Sequence, residues 1–243
     1  MKENYPRRLG SGLLLLYEDR DIAAVDKPAG LLSIATGGGR EKTAYLILAG
    51  YLRKRGGNGA SPAVVQRLDR DTSGVMIFAK SGWVKKKLMD HWDEAVTERR
   101  YLCVAEGAFS AIAAAGAGEA SGLIDLPLGE DAGGRVVVMK NGKPALTRWK
   151  LIKERNGFSL LSLELETGRR NQIRAHLAAL GHPVAGDKKY WAKTDPLKRL
   201  CLHAEKIAFH HPRDGKLMVF ESPVPPGFER IFENAEFGKR NSE

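Results

Sequence analysis

The stretch VVQRLDRDTSGVMIFAK, residues 64–80, frames the reading of the whole chain. Aspartate and glycine are poor strand residues, so DRDTSG (69–74) is expected as a loop held between two strands, the second being the apolar segment Val75–Ala79. Loops braced by rigid strands are where chemistry concentrates, which makes Asp69 and Asp71 the first residues to account for.

Working outward, SGLLLLYED (11–19) and DIAAVDKPAG (21–30) read as strands joined by a turn, and Lys27-Pro28-Ala29-Gly30 ends the second because proline cannot continue a ladder. The glycine-rich TGGGRE (36–41) leads into a helix over about 42–55, which GGNG (56–59) terminates. After the Asp69 loop and its strand comes an amphipathic helix over 83–96, lysine-rich on one face, and then a strand in RYLCVAEG (100–107). Residues 108–122 are low in complexity and read as a long connection between two lobes, about 12–107 and 123–222. In the second lobe, GGRVVVMK, PALTRWKLIKE and FSLLSLELET are successive strands with short turns, which favours antiparallel pairing over repeated βαβ units. A short helix beginning near Arg170 interrupts them, and AEKIAFHHP and KLMVFESP are the last strands, so the class is α+β.

With 243 residues, 43% of them hydrophobic, the chain can bury a substantial core. The apolar run Leu13–Leu16 is far too short for a membrane span or a signal-peptide core, so a cytoplasmic protein without membrane contact is expected. Cys103 and Cys201 sit in apolar settings without a second cysteine or histidine at metal-ligand spacing, so both read as buried thiols, and no metal is expected. Thirty-nine Lys and Arg against 29 Asp and Glu give a formal charge of +10 and favour a polyanionic partner, with nucleic acid the first candidate.

Asp69 then has three readings. It can bond nearby amides in a tight turn; it can be a phosphoryl-transfer nucleophile of the Asp-x-Asp-x-Ser kind; or it can be a nucleophile in an RNA cleft, kept ionised by arginine. The second needs an apolar strand directly before the first aspartate, which Gln66 and Arg67 interrupt, and a downstream pair of magnesium-binding carboxylates beside a lysine, which is not evident. For the third, a cationic partner is suggested by TGRRNQIRAHLAALGHPVAGDKKY (167–190), where Ile173, Leu177 and Leu180 are spaced to bury one helical face and Gly181 marks the stop. Arg170 and Arg174, four apart, are expected on a different face near the helix start, where arginines and exposed amides suit phosphate or carboxylate.

Taken together, DKPAG, QRLDRDTSG, RRYLCVAEG, TGRRNQIRAHLAALGHPVAGDKKY and RLCLHAEKIAFHHP, in this order and spacing over about residues 12–222, resemble the pseudouridine synthases of the RluA type. The resemblance implies a single catalytic domain, 1–243, with the pseudouridine synthase fold: a mixed, largely antiparallel sheet in two lobes with flanking helices and a central RNA cleft. It implies an RNA uridine isomerase without a cofactor, acting on ribosomal or transfer RNA, and nothing in the sequence demands more than a monomer. Residue by residue, it implies that Asp69 is the catalytic aspartate, Tyr101 the aromatic stacked on the target base, and Arg174 the basic partner of Asp69. Arg67 would fill the space the flipped nucleotide leaves, and Arg170, Gln172, Lys85 and Lys86 would contact RNA, with Lys87 and Arg53–Arg55 as further backbone contacts. Asp71 is expected to brace the loop. Gln66 and Asn171 stand where many members have histidine, which bears on RNA contact rather than on the reaction. About eleven residues precede the first expected strand, so target selection is expected to rest on the catalytic domain's own surface. A catalytically silent RNA-binding protein is the alternative.

Overall fold

Alternating and continuous apolar runs build the strands. Leu13 and Leu15 alternate inward on one, whereas Ile22–Val25 and Val75–Ala79 are buried throughout. The computed structural model describes residues 5–35, 41–55, 61–112 and 120–233. The chain divides into two units, residues 1–99 with 204–223 and residues 100–203 with 224–243. This division is interleaved, because the last two strands belong to the first unit.

The first unit contains β1 (Arg7–Gly10), β2 (Leu13–Glu18), β3 (Ile22–Lys27), β4 (Ala63–Val64) and β5 (Ser73–Ala79). It is joined by β12 (Leu202–His210), which enters the unit at Ala204, and β13 (Leu217–Glu221). The strand order is β1-β2-β3-β5-β12, with β4 on β5 and β13 on β12. Strands β1, β2, β3 and β5 pair antiparallel in turn. Helix α1 (Ala44–Lys54) starts where the Thr43 hydroxyl accepts the Leu46 amide, and it buries Ala44, Leu48, Ala49 and Leu52. Helix α2 (Gly82–Asp90) is capped by Ser81 and buries Val84 and Leu88. These two pack with Ile22, Val75, Ile77, Ile207 and Phe209 into one core.

The second unit begins within β6 (Val96–Glu106) and orders its strands β6-β11-β10-β7, with β7 (Ser121–Asp125), β10 (Leu146–Arg155) and β11 (Phe158–Leu165) all antiparallel to their neighbours. A separate hairpin pairs β8 (Leu128–Glu130) with β9 (Val136–Val138). Helices α4 (Gln172–Ala179) and α5 (Pro226–Glu233) complete it. Cys103, Val104, Phe109, Leu161, Leu177 and Phe228 are central in its core.

The α+β class and the largely antiparallel strands agree with the sequence reading, and four details differ. The first strand begins at Arg7, not Leu13, because Arg7 and Arg8 pair with Leu15 and Leu14 despite their charge. The helix expected over 83–96 breaks at His91 (φ −122°, ψ 30°), gives one further turn, α3 (Trp92–Ala95), and becomes strand at the β-branched pair Val96-Thr97. The expected connection 108–122 is anchored at both ends: Phe109 is fully buried edge-to-face on Trp149, and β7 starts at Ser121. Its middle, like the glycine stretches 36–40 and 56–59, lies outside the described residues. Helix α5 had no expected counterpart; Phe228, Ile231 and Phe232 bury its apolar face.

Candidate catalytic site

In the first unit, Asp69 is half-buried on the loop between β4 and β5. The loop is gripped on both sides of it through the backbone. Lys27, at the end of β3, is fully buried, and its ammonium donates to the carbonyls of Pro28 (3.0 Å), Leu31 (2.7 Å) and Arg70 (2.9 Å). The Gly30 amide donates to the same Arg70 carbonyl at 2.9 Å. On the other side, the Ser33 hydroxyl donates to the Leu68 carbonyl (2.7 Å) and accepts the Leu68 amide (3.1 Å). Residues 68 and 70 are thus tied to the turn after β3, and Asp69 between them has little backbone freedom. Gly74 completes the constraint: at φ +116°, a Cβ there would lie 2.1 Å from the Ala204 carbonyl oxygen. Asp71, expected to brace this loop, is exposed, and Lys27 and Ser33 do the bracing. Arg67 is exposed, and Arg70 pairs with Glu41 at 3.2 Å.

In the second unit the site residues gather around Arg174. Its Nε and a terminal nitrogen hold the two carboxylate oxygens of buried Asp187 at 2.6 and 2.8 Å, a bidentate fork that fixes the guanidinium plane. The guanidinium also lies 5.0 Å from the centre of the Tyr190 ring. The Tyr190 hydroxyl donates to the Val136 carbonyl (2.9 Å) and accepts the Asn171 side-chain amide (3.2 Å). Asn171 therefore has a structural task. Gly186 precedes Asp187 with φ +80°, and a Cβ there would meet the Arg199 carbonyl at 2.1 Å. Tyr101 is half-buried on β6, opposite Leu163 of β11.

Two expectations for this segment change. Helix α4 starts at Gln172, so Arg170 lies before it and shares no helical face with Arg174; it pairs with Glu130 (3.0 Å) and donates to the Gly134 carbonyl (2.7 Å). Gln172 is 2% exposed, and its amide bonds Thr167, Arg169, Leu146 and Thr147, so it braces the protein where an RNA contact was expected. The buried His176 accepts the Thr147 hydroxyl and donates to the Leu126 carbonyl, and burial lowers its pKa. Lys85 on α2 is exposed, Lys86 pairs with Asp90, and Lys87 lies over Trp83. Arg53 and Lys54 are exposed at the end of α1, and Arg55 bonds the Tyr51 hydroxyl at 2.8 Å.

The residues missed from sequence are Lys27, Ser33, Asp187 and Tyr190. Signals existed: a lysine closing the otherwise buried strand IAAVDK, and an aspartate directly after a glycine in VAGDKKY. Both cysteines are buried free thiols, with Cys103 pushed well up and Cys201 pushed up to about 12 by burial. Among the described residues, Asp19, Asp21 and His211 bring ligand atoms within 4.8 Å of one another. Arg213 occupies both oxygens of Asp21, holding its carboxyl below the usual range, so this is an ion-pair cluster already supplied with a cation. Among the described residues, no helix is long and apolar enough to cross a membrane.

Comparison with known proteins gives the family of the chain. Residues 21–179 match the family described as RNA pseudouridylate synthase. The uncharacterized RNA pseudouridine synthase YlyB of Bacillus subtilis is 34% identical over 90% of this chain and 72% of its own length. The ribosomal large subunit pseudouridine synthase D of Nitrosomonas europaea is 32% identical over 88% of this chain and 62% of its own. Among solved structures, human RNA pseudouridylate synthase domain containing 4 superposes with a TM-score of 0.69 at 20% identity, covering 88% of this chain and 90% of that one, which shows the same fold.

Proposed function

The chain belongs to the RNA pseudouridylate synthase family and is an RNA pseudouridine synthase, and on that premise we propose that Asp69 is its catalytic aspartate, acting on a uridine flipped out of structured RNA. The observation that carries this reading is the clamp on the Asp69 loop. A nucleophile gains most when the backbone that presents it is immobile, and here Lys27 and Ser33 immobilise both neighbouring residues.

The reaction breaks the bond between the ribose anomeric carbon and uracil nitrogen-1, turns the detached base, and rejoins it through carbon-5, whose proton is lost to solvent while nitrogen-1 gains one. Asp69 acts on the sugar, either at the anomeric carbon or by removing a sugar proton. The uracil leaves as a stabilised anion and stays bound, so a second carboxylic acid is unnecessary. Arg174 is assigned as the basic partner of Asp69, as the family resemblance implies, and its fork on Asp187 holds the guanidinium in place without a search through rotamers. Extracting a base from its stack costs a few kcal/mol. Tyr101 offsets part of this by stacking on the base, and Arg67 by filling its place. The formal charge of +10 and the exposed Lys85, Lys86, Arg53 and Lys54 suit the phosphate backbone. Ribosomal RNA is the substrate class we favour, in line with the name of the Nitrosomonas relative, with transfer RNA second.

The test uses cellular RNA from a strain lacking the gene, labelled with tritium at carbon-5 of uracil. Asp69→Asn is expected to lower tritium release by on the order of a thousandfold or more while leaving RNA binding within about threefold. Full release by that variant would overturn the assignment of Asp69.

A further inference from the structure

Trp191 is an anomaly in its backbone and its surroundings. Its φ of 62° and ψ of 26° lie in the left-handed region, which side chains disfavour and bulky ones most of all. Burial rewards the indole little for being there, since it is 61% exposed. One contact does organise it: the Arg135 guanidinium lies over the ring, 4.3 Å from its centre. Arg135 Nε is shut away from solvent without a hydrogen-bond partner, so the arginine is held against the indole rather than drawn to a carboxylate. Lys188, Lys189 and Lys193, within three residues of it in sequence, are exposed, and Lys188 pairs with Asp195 at 3.8 Å.

The place of this pair in the fold is equally specific. Tyr190, whose ring Arg174 covers, meets the Trp191 ring edge-on at 6.3 Å, so a single buried side chain separates the exposed indole from the arginine of the proposed site. The other exposed tryptophan with cations around it, Trp83, has ordinary helical backbone, and its Arg213 neighbour is bound to Asp21, so nothing comparable singles it out.

We propose that Trp191, backed by Arg135, is a stacking platform for one unpaired nucleobase beside the target uridine, and so a determinant of which RNA is accepted. This rests on the reading of the chain as an RNA-modifying enzyme. An indole offers a π-face that any base can stack on, a guanidinium on the ring adds charge that draws the adjacent phosphate, and the cost of a left-handed tryptophan is met only when a ligand uses the ring. The chemistry calls for single-stranded RNA at this position, because a paired base has no free face to offer.

The test uses the full chain and three forms at residue 191. Glycine is the natural occupant of a left-handed position, so Trp191→Gly is expected to fold at least as well as the parent, and Trp191→Phe keeps a ring. With fluorescently labelled ten-nucleotide oligoadenylate as the probe, Trp191→Gly is expected to weaken binding by on the order of tenfold and Trp191→Phe to recover most of the loss. In the tritium assay, KM is expected to rise by a similar factor in Trp191→Gly, with a far smaller change in kcat. If the parent releases tritium and Trp191→Gly matches it in both oligoadenylate binding and KM, the platform is overturned and the enzymatic reading stands. If oligoadenylate binding follows residue 191 but no form releases tritium, the platform stands and the enzymatic reading is what fails.

Discussion

The loop that carries Asp69 and the helix that carries Arg174 are held by opposite means. Around Asp69 the grip is on the backbone: a buried ammonium reaches three carbonyls and a serine hydroxyl bonds both polar groups of Leu68. Around Arg174 the grip is on the side chain itself, a carboxylate fork and an aromatic ring against the guanidinium. The difference follows from what each residue must do. On the proposed reading of Asp69, the grip on residues 68 and 70 fixes where the loop presents it. On the same reading, Arg174 can be pinned directly, since pinning does not remove its charge. Both arrangements close on a glycine that no side chain can replace, Gly74 against Ala204 and Gly186 against Arg199.

This contrast predicts different failures. Beyond the loss of turnover expected in Asp69→Asn, the largest effect belongs to Lys27→Ala, which removes a donor from three carbonyls, of which that of Arg70 keeps another, the Gly30 amide; unfolding in urea is expected to show a loss of about 3–5 kcal/mol. Asp187→Asn keeps shape but removes the charge from the fork. It is expected to lower turnover by on the order of a hundredfold while costing stability less than Lys27→Ala does. Equal stability losses in the two variants would erase the distinction between backbone and side-chain grips. Ser33→Ala should cost about 1–2 kcal/mol, because the Leu68 amide and carbonyl lose one shared partner.

The smallest effect is one of pH, and it separates the two units. Burial lowers the His176 pKa, so its stabilising contribution to the second unit is present above the ordinary value of about 6.5 and is lost as pH falls from there through the lowered one. Asp21, lowered by Arg213, supports the first unit above the ordinary value of about 3.9, and that support is lost only in stronger acid. Urea stability measured at pH 7 and pH 5.5 should therefore drop in the parent and drop less in His176→Gln. An equal drop in both would remove His176 from the account.

The Asp69 loop and the stop at Gly181 were legible because turn residues and helical spacing act over a few positions: Asp, Thr, Ser and Gly break a strand locally, and Ile173 and Leu177 bury one face of α4 as their spacing requires. The break at His91 was hidden because residues 83–96 keep an acceptable helical pattern throughout, and only the demand of β6 for extended residues at Val96 decides where the helix must end. Gln172 looked like a surface amide until the fold put Leu146 and Thr147 around it.

What the sequence determined by itself was therefore the chemistry on offer: a basic chain, an aspartate in a strand-bounded loop, an arginine on a short amphipathic helix, and a set of motifs ordered as in one family of enzymes. Tertiary structure alone decided the partners. Ser33 meets Leu68 across 35 positions, Lys27 meets Arg70 across 43, and Arg174 meets Asp187 across 13. Local propensity is set by each residue's own side chain and its near neighbours, whereas a partner that far along the chain is chosen only when the packing of strands and helices closes the loop between them.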